Sequence, residues 1–352
     1  MPPKKKTPKA TANANASTTN GDDKVEHHTN EEPKIADEPA DDEAKNEEEK
    51  PEPESKAPAL AGKNLDGNAS KKRGKATATD EPRKASRRSG RSVARNEPSK
   101  QQLLNYMISP AAAELTRPDD ELEDVKSRGD IKTYSASVLN PFEELLCAVI
   151  LSRPISHRLG LRTIRTVLND PYDFNSAKAL KDAGDEKRLQ SVYDARTQHK
   201  DKTAAQMGII ADAVLQNFTS DSDKDGTQLQ KLRDECGDDV DAAADQLKAQ
   251  IKGLGKTGLE IFFRRVQWIW TAAFPNIDGR TADSLRMLGL PQDGSELETL
   301  IEDNWKKLET KHLAGDDEAA KKKRAFVVLL ERATGAQLEQ KIDAVLGAAA
   351  EA

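Results

Sequence analysis

Three glycines crowd the stretch IKGLGKTGLEIFF (251–263): Gly253, Gly255 and Gly258 lie within six positions, with Lys252 and Lys256 among them. Glycine takes positive φ at little steric cost, so G-x-G can reverse a chain in a few residues and leaves backbone N–H groups uncovered. Those groups, with the positive end of the helix that follows, form a surface for an anion such as a DNA phosphate. Lys252 and Lys256 would add charge without base preference. The same spacing also serves a plain joint between helices. A second feature stands 23 residues beyond Gly255 in FPNIDGRTADSLRMLGL, where Asp278 follows Pro275 and starts a new helical run. Asp is a good N-cap there, and it is equally a carboxylate that a helix start keeps ionised, able to stabilise positive charge on a substrate.

The elements that must position these residues read as helices throughout. NPFEELLCAVILS (140–152) has Phe142, Leu145, Leu146, Val149 and Ile150 at helical spacing, Asn140 as cap and Pro141 at the first helical position. SHRLGLRTIRTVL (156–168) sets Leu159, Ile164 and Leu168 on one side and Arg158, Arg162 and Arg165 on the other. Helical patterns continue in KTAAQMGIIADAVLQNF (202–218), GTQLQKLRDECG and 239–251, which ends at the glycines. LEIFFRRVQWIWTAAF (259–274) is the most apolar run and is expected to be the central helix. RTADSLRMLGL, LETLIEDNWKKLETKHL, AAKKKRAFVVLLERATG and QLEQKIDAVLGAAA complete the series. Outside short extended pieces such as KTYSAS (132–137), no strand-type alternation occurs, so the fold class expected is all-α.

The first 100 residues differ in kind. They contain no Phe, Trp or Tyr and no sustained apolar periodicity, so they cannot bury enough surface to offset the entropy of ordering. Residues 1–100 therefore read as a disordered tail. Within it, 21–54 carries 15 acidic against 4 basic residues, and 70–100 carries 11 basic against 3 acidic. The clusters KKRGK (71–75) and RKASRRSGR (83–91) suit a bipartite nuclear-import signal or a DNA-contacting arm, and equally a solvated linker. Residues 101–139 are expected to be a linker with short helices, and 140–352 a helical domain with its hairpin at 251–258. The formal charge of -6 conceals this asymmetry. No apolar run is long enough for a membrane span, and the first ten residues lack the core of a secretory signal. Two cysteines, Cys147 and Cys236, make neither a disulfide framework nor an iron–sulfur ligand set, which fits a reducing compartment.

Taken together, hairpin, apolar helix, Pro-containing turn and Asp resemble the helix-hairpin-helix, Gly/Pro…Asp (HhH-GPD) superfamily of DNA glycosylases, which includes endonuclease III and the adenine-specific mismatch glycosylase. The family hairpin reads approximately L-P-G-V-G-R-K/S-T-A, and IKGLGKTGL (251–259) is similar. The Asp segment of the adenine glycosylase branch, I-L-D-G-N-V-x-R-V-L, is similar to PNIDGRTADSL (275–285), and S-P-F-E-L-L-I-A-V-x-L-S-x-Q is similar to NPFEELLCAVILSRP (140–154). The resemblance implies a two-lobed helical glycosylase fold, a nuclear monomer acting in base-excision repair on double-stranded DNA with a damaged or mismatched base, and no membrane partner. It also implies that the hairpin residues Lys252, Gly253, Leu254, Gly255, Lys256, Thr257 and Gly258 grip DNA. As cofactor it implies at most a monovalent cation at the hairpin, because no cysteine follows Cys236 to complete an iron–sulfur cluster.

The departures decide the chemistry expected. Anchored on G-x-G, the family's Schiff-base lysine falls at Thr257, and a hydroxyl cannot form an imine with ribose C1′. Lys256 is one position early, about 100° away around a helix. The glutamine that fills the gap of an extruded base is replaced at the Arg153-Pro154 region, so Arg153 is the wedge candidate, with His157 and Arg158 beside it as DNA contacts. The hairpin-to-Asp distance is about three residues longer than the family's usual one, which extends the apolar helix or its exit turn. The expected activity is monofunctional N-glycosidic cleavage of a flipped base with Asp278 as the carboxylate and Asp283 as fallback. Glu260 reads as a surface residue, Trp268 and Trp270 face different ways with one in the core, Arg264 and Arg265 read as solvated or salt-bridged, and Cys147 reads as core. The alternatives are an inactive helix-hairpin-helix DNA-binding or scaffold protein, and a helical adaptor.

Overall fold

Residues 97–237 and 239–352 are described here in a computed structural model. The acidic block, most of the basic block and residues 1–96 of the tail expected to be disordered lie outside the described residues; its last residues are ordered, Ser99 capping α1 and Lys100 starting it. Fifteen α-helices run through the described part, and it contains no strand. In chain order they are α1 (Lys100–Ile108), α2 (Ala113–Thr116), α3 (Asp119–Arg128), α4 (Pro141–Leu151), α5 (His157–Val167), α6 (Ala177–Asp182), α7 (Gly184–Asp194) and α8 (Lys200–Asn217). They continue as α9 (Gln230–Cys236), α10 (Val240–Gln250), α11 (Lys256–Val266), α12 (Gly279–Met287), α13 (Gly294–Asn304), α14 (Glu318–Leu338) and α15 (Ile342–Glu351). None of them is long and apolar enough to cross a membrane.

The helices build two cores. One gathers Phe142, Leu146, Ile164, Met207, Ile210, Leu247, Ile251, Phe262 and Trp270, and so belongs to the continuous stretch from Tyr134 to Ala273. The other joins Leu104 and Met107 of α1 to Leu285, Leu297, Ile301, Phe326, Leu330 and Val345, and so is built from both ends of the described chain. Residues 101–139 hold the short helices expected there, yet they are not a linker: α1 packs on α14 and α15, and α2 on α14. The apolar face of α1 needs that cover. The extended piece expected at 132–137 is a turn, closed by Ser137 Oγ accepting from Thr133 N at 2.9 Å.

The central helix of the first lobe is α4 rather than α11. A capping box starts it: Asn140 Oδ1 accepts from Glu143 N (2.9 Å) while Glu143 Oε2 accepts from Asn140 N (2.9 Å). Pro141 through Ile150 are all buried. The expected helix 259–274 ends at Val266. There the buried Gln267 turns the chain: its Nε2 donates to the carbonyls of Arg264 and Asn276, and its Oε1 accepts from Asn276 N at 2.7 Å. Trp270 folds back edge-on to Phe262 with ring centroids 5.2 Å apart. Residues 267–277, between the end of α11 and Asp278, thus form an exit turn rather than more α-helix.

Candidate functional site

The hairpin joins α10 to α11 through a turn in which Leu254 N donates to Ile251 O at 3.0 Å. Gly253 takes φ 91°, and Gln206 Nε2 holds the adjacent Lys252 carbonyl at 2.7 Å. Ile251 and Leu254 are buried and anchor the turn, while Lys252, Gly253, Gly255, Lys256 and Thr257 are exposed. Gly255 is the N-cap of α11 in extended backbone (φ -99°), and no side chain caps the helix. The first N–H groups of α11 therefore face solvent beside two lysines. Two of the hairpin residues expected at DNA do something else. Leu254 is a core side chain and can offer only backbone, and Gly258 is buried where a Cβ would stand 2.6 Å from Leu254 Cδ1 and 3.3 Å from Ser152 Oγ. Gly258 thus lets α11 approach the end of α4.

One turn into α11 opens a cavity of about 260 Å³ between the lobes. Thr257, Arg264, Asp278, His157, Tyr134 and Glu331 are among its wall residues. Asp278 is the N-cap of α12 and also part of this wall, so the two roles considered for it coincide. Its Oδ1 accepts from Thr281 N (3.1 Å); its Oδ2 accepts from Thr281 Oγ1 (2.6 Å) and from Arg264 Nη1 (2.8 Å). At 7% exposure burial pushes its pKa up, but Arg264 and the two Thr281 donors outweigh burial and hold it below the usual Asp value. Asp278 is thus ionised at neutral pH and suited to stabilising cationic charge rather than to carrying a proton.

Arg264 does not reach solvent. Besides Asp278 it donates through Nε to Glu331 Oε1 at 2.6 Å, and Tyr134 Oη donates to the same oxygen at 3.2 Å. Burial lowers the Arg264 pKa and the surrounding carboxylates raise it, leaving it well above the ordinary value, while burial first and Glu331 second raise that of Tyr134. The neighbouring Arg265 forks onto Glu144 of α4 with two contacts of 2.9 Å. Of the alternatives open for this arginine pair, burial in ion pairs is the one found.

His157 lies on the wall, and burial pushes its pKa below the ordinary value, only partly offset by Glu331 and Glu339, so it is neutral at pH 7. The other sequence candidates lie elsewhere. Arg153 is half-buried with an unpartnered Nε and is not part of the wall. Arg158 is exposed and paired with Glu339. Lys256 is 89% exposed, 3.7 Å from Glu260, and not part of the wall. Asp283 is exposed and bound to Arg286, so it is no substitute for Asp278. Glu260, expected at the open surface, is half-buried on the wall. Trp268 lies under the Arg324 guanidinium (5.1 Å) and Trp270 is core; neither lines the cavity. Cys147 is fully buried, its thiol pushed well up by burial.

Sequence reasoning missed Glu331 and Tyr134. A signal for Glu331 existed: it directly follows the apolar run AFVVLL and stands four residues after Val327, on the same helix face, where an unpaired charge is costly. Tyr134 had none, since it belongs to an irregular turn. No protein-family model, curated protein or solved structure matches the chain.

Proposed function

We propose that this chain is a DNA glycosylase of the helix-hairpin-helix Gly/Pro–Asp type that cleaves the N-glycosidic bond of a damaged or mismatched base without lyase chemistry. The observation that carries the reading is that the ionised Asp278 and Thr257 share one cavity wall at the end of an uncapped, lysine-flanked hairpin helix. The hairpin holds a DNA phosphate, a monovalent cation bridging it where one binds, and a base swung out of the duplex enters the cavity. As the C1′–N bond breaks, its electron pair leaves with the base and positive charge grows on the sugar. Asp278 stabilises that charge, and water adds to C1′, its proton passing to the departing base so that both products leave neutral. Thr257 has no amine with which to trap the sugar, so the product is an intact abasic strand. The basic clusters 71–75 and 83–91 direct a monomeric protein to the nucleus and add phosphate contacts.

The test is single-turnover cleavage of duplexes carrying uracil, alkylated, oxidised or mismatched bases, with alkali treatment separating glycosylase from lyase products. At least one duplex should be processed, and Asp278→Asn should lower that rate about 100-fold or more. No cleavage of any duplex would overturn the catalytic reading. One observation favours a binding-only protein instead: both Asp278 oxygens are occupied, one of them by the Arg264 cation. In that case duplex binding persists without turnover, and deleting residues 70–96 flattens its salt dependence.

A further inference from the structure

The cavity wall holds a largely buried carboxylate with one oxygen that accepts from no described residue. Thr281 gives its hydroxyl to Asp278, Thr334 gives its hydroxyl to the Leu330 carbonyl, and Arg332 gives Nη1 to the carbonyls of Met107 and Ser109 at 2.5 and 2.6 Å. Tyr134 and Arg264 both converge on Glu331 Oε1. Glu331 Oε2 bonds to no described residue and is the oxygen of this 9%-exposed side chain left open to the cavity it lines. A carboxylate oxygen can only accept, so a ligand that fills the cavity and covers Oε2 without offering a donor carries a desolvation cost. The two bonds on Oε1 fix the carboxylate plane, so Oε2 is aimed rather than free to rotate.

Resting on the glycosylase reading above, we infer that Glu331 is the specificity-determining residue of the cavity and that Oε2 accepts a hydrogen bond from an N–H on the inward edge of the extruded base. The ligand class is then a base presenting a ring imide or lactam N–H, or an exocyclic amino group, at that edge. A base with only carbonyl oxygens or alkyl groups there would set an acceptor or a methyl against a fixed carboxylate. Neutral His157, electrostatically coupled to Glu331, supplies one donor and one acceptor nearby, and so tolerates either kind of group. Arg280, exposed on the same wall, bears on the phosphate backbone of the DNA rather than on the base.

The experiment compares two duplexes that differ in one atom group: one uracil, and one N3-methyluracil in which the imide N–H is replaced by N–CH3. Hypoxanthine and N1-methylhypoxanthine form a second pair. Binding is read by fluorescence anisotropy and cleavage by single turnover, for the wild type and for Glu331→Gln and Glu331→Ala, with thermal unfolding to verify folding. Wild type should favour the N–H member of at least one pair by about 10-fold or more, the usual worth of a hydrogen bond to a charged group. Glu331→Gln should shrink that preference several-fold and Glu331→Ala should abolish it. If cleavage occurs but the preference is the same in all three proteins, steric fit decides and the role given to Glu331 is overturned while the glycosylase reading stands. If binding shows the preference and its loss in Glu331→Ala without cleavage of any duplex, Glu331 reads the base and the catalytic reading fails alone. Absence of any wild-type preference in both pairs overturns the inference outright, whether or not the variants fold.

Discussion

At the scale of single residues, the cavity is a shared-charge site: the Arg264 guanidinium serves both Asp278 and Glu331. This bears on what a substitution at Asp278 costs. Asn is as good an N-cap as Asp, so α12 keeps its start, and Arg264 keeps Glu331. Asp278→Asn should therefore lose about 1–3 kcal/mol of stability, the worth of a hydrogen bond to a charged group, while losing catalysis far more steeply. Urea titration beside the cleavage assay separates the two, and a variant that fails to fold would contradict the division. His157 makes a pH prediction. Its folded pKa lies below its ordinary value of about 6.5, so as pH falls the unfolded chain takes up this proton first. Its contribution to stability is present above about pH 6.5 and is lost as pH falls toward the folded pKa. Between pH 7.5 and 5.5 the wild type should thus lose more Tm than His157→Asn. Parallel curves would mean that the imidazole is not desolvated.

At the scale of elements, the glycines divide the work of the hairpin. Gly253 sits at φ 91°, and a Cβ there would stand 2.8 Å from Gln206 Oε1. Gly253→Ala should cost about 1–3 kcal/mol through backbone strain and that contact. Gly255 has ordinary extended backbone and nothing within 4 Å of a Cβ, so Gly255→Ala should lower Tm far less than Gly253→Ala, by no more than the poorer N-cap propensity of Ala. It should weaken duplex binding, because the new methyl occupies the side from which a phosphate reaches the first N–H groups of α11. A melting curve and an anisotropy titration on the two variants check both halves. The elements were largely legible beforehand. Asn140-Pro141 marked the start of α4, and Asp278 marked the start of α12, because caps are local chemistry. The end of α11 was not legible: Gln267 stops it by bonding to Asn276, nine residues on, a partner that exists only after the exit turn has formed.

At the scale of the whole molecule, buried ion pairs matter where surface pairs do not. Arg265 is 1% exposed and Glu144 is fully buried, so removing one partner strands a charge in a medium that cannot solvate it. Glu144→Gln should cost about 3–5 kcal/mol, a Tm loss on the order of 10 °C for a unit of this size. Lys256→Gln, which breaks the exposed contact with Glu260, should leave Tm unchanged. Calorimetry on the two variants tests the contrast, and equal shifts would refute it. Arg264 joins the lobes directly, since its partners Asp278 and Glu331 belong to α12 and α14 while it rises from α11.

The amino-acid sequence by itself determined the all-helical class of the described residues, the capped start of α4, the glycine turn and the place of Asp278 at a helix start. These follow from periodicity and capping, which act over three or four residues. Only the tertiary structure decided that α1 and α2 pack into the second core rather than link to it, that α4 is the buried centre, and that Leu254 and Gly258 pack rather than face outward. It also decided that Glu331 and Tyr134, 197 positions apart in the chain, meet over Arg264. Contacts at that separation depend on how two lobes close on each other, and no local pattern of residues encodes that closure.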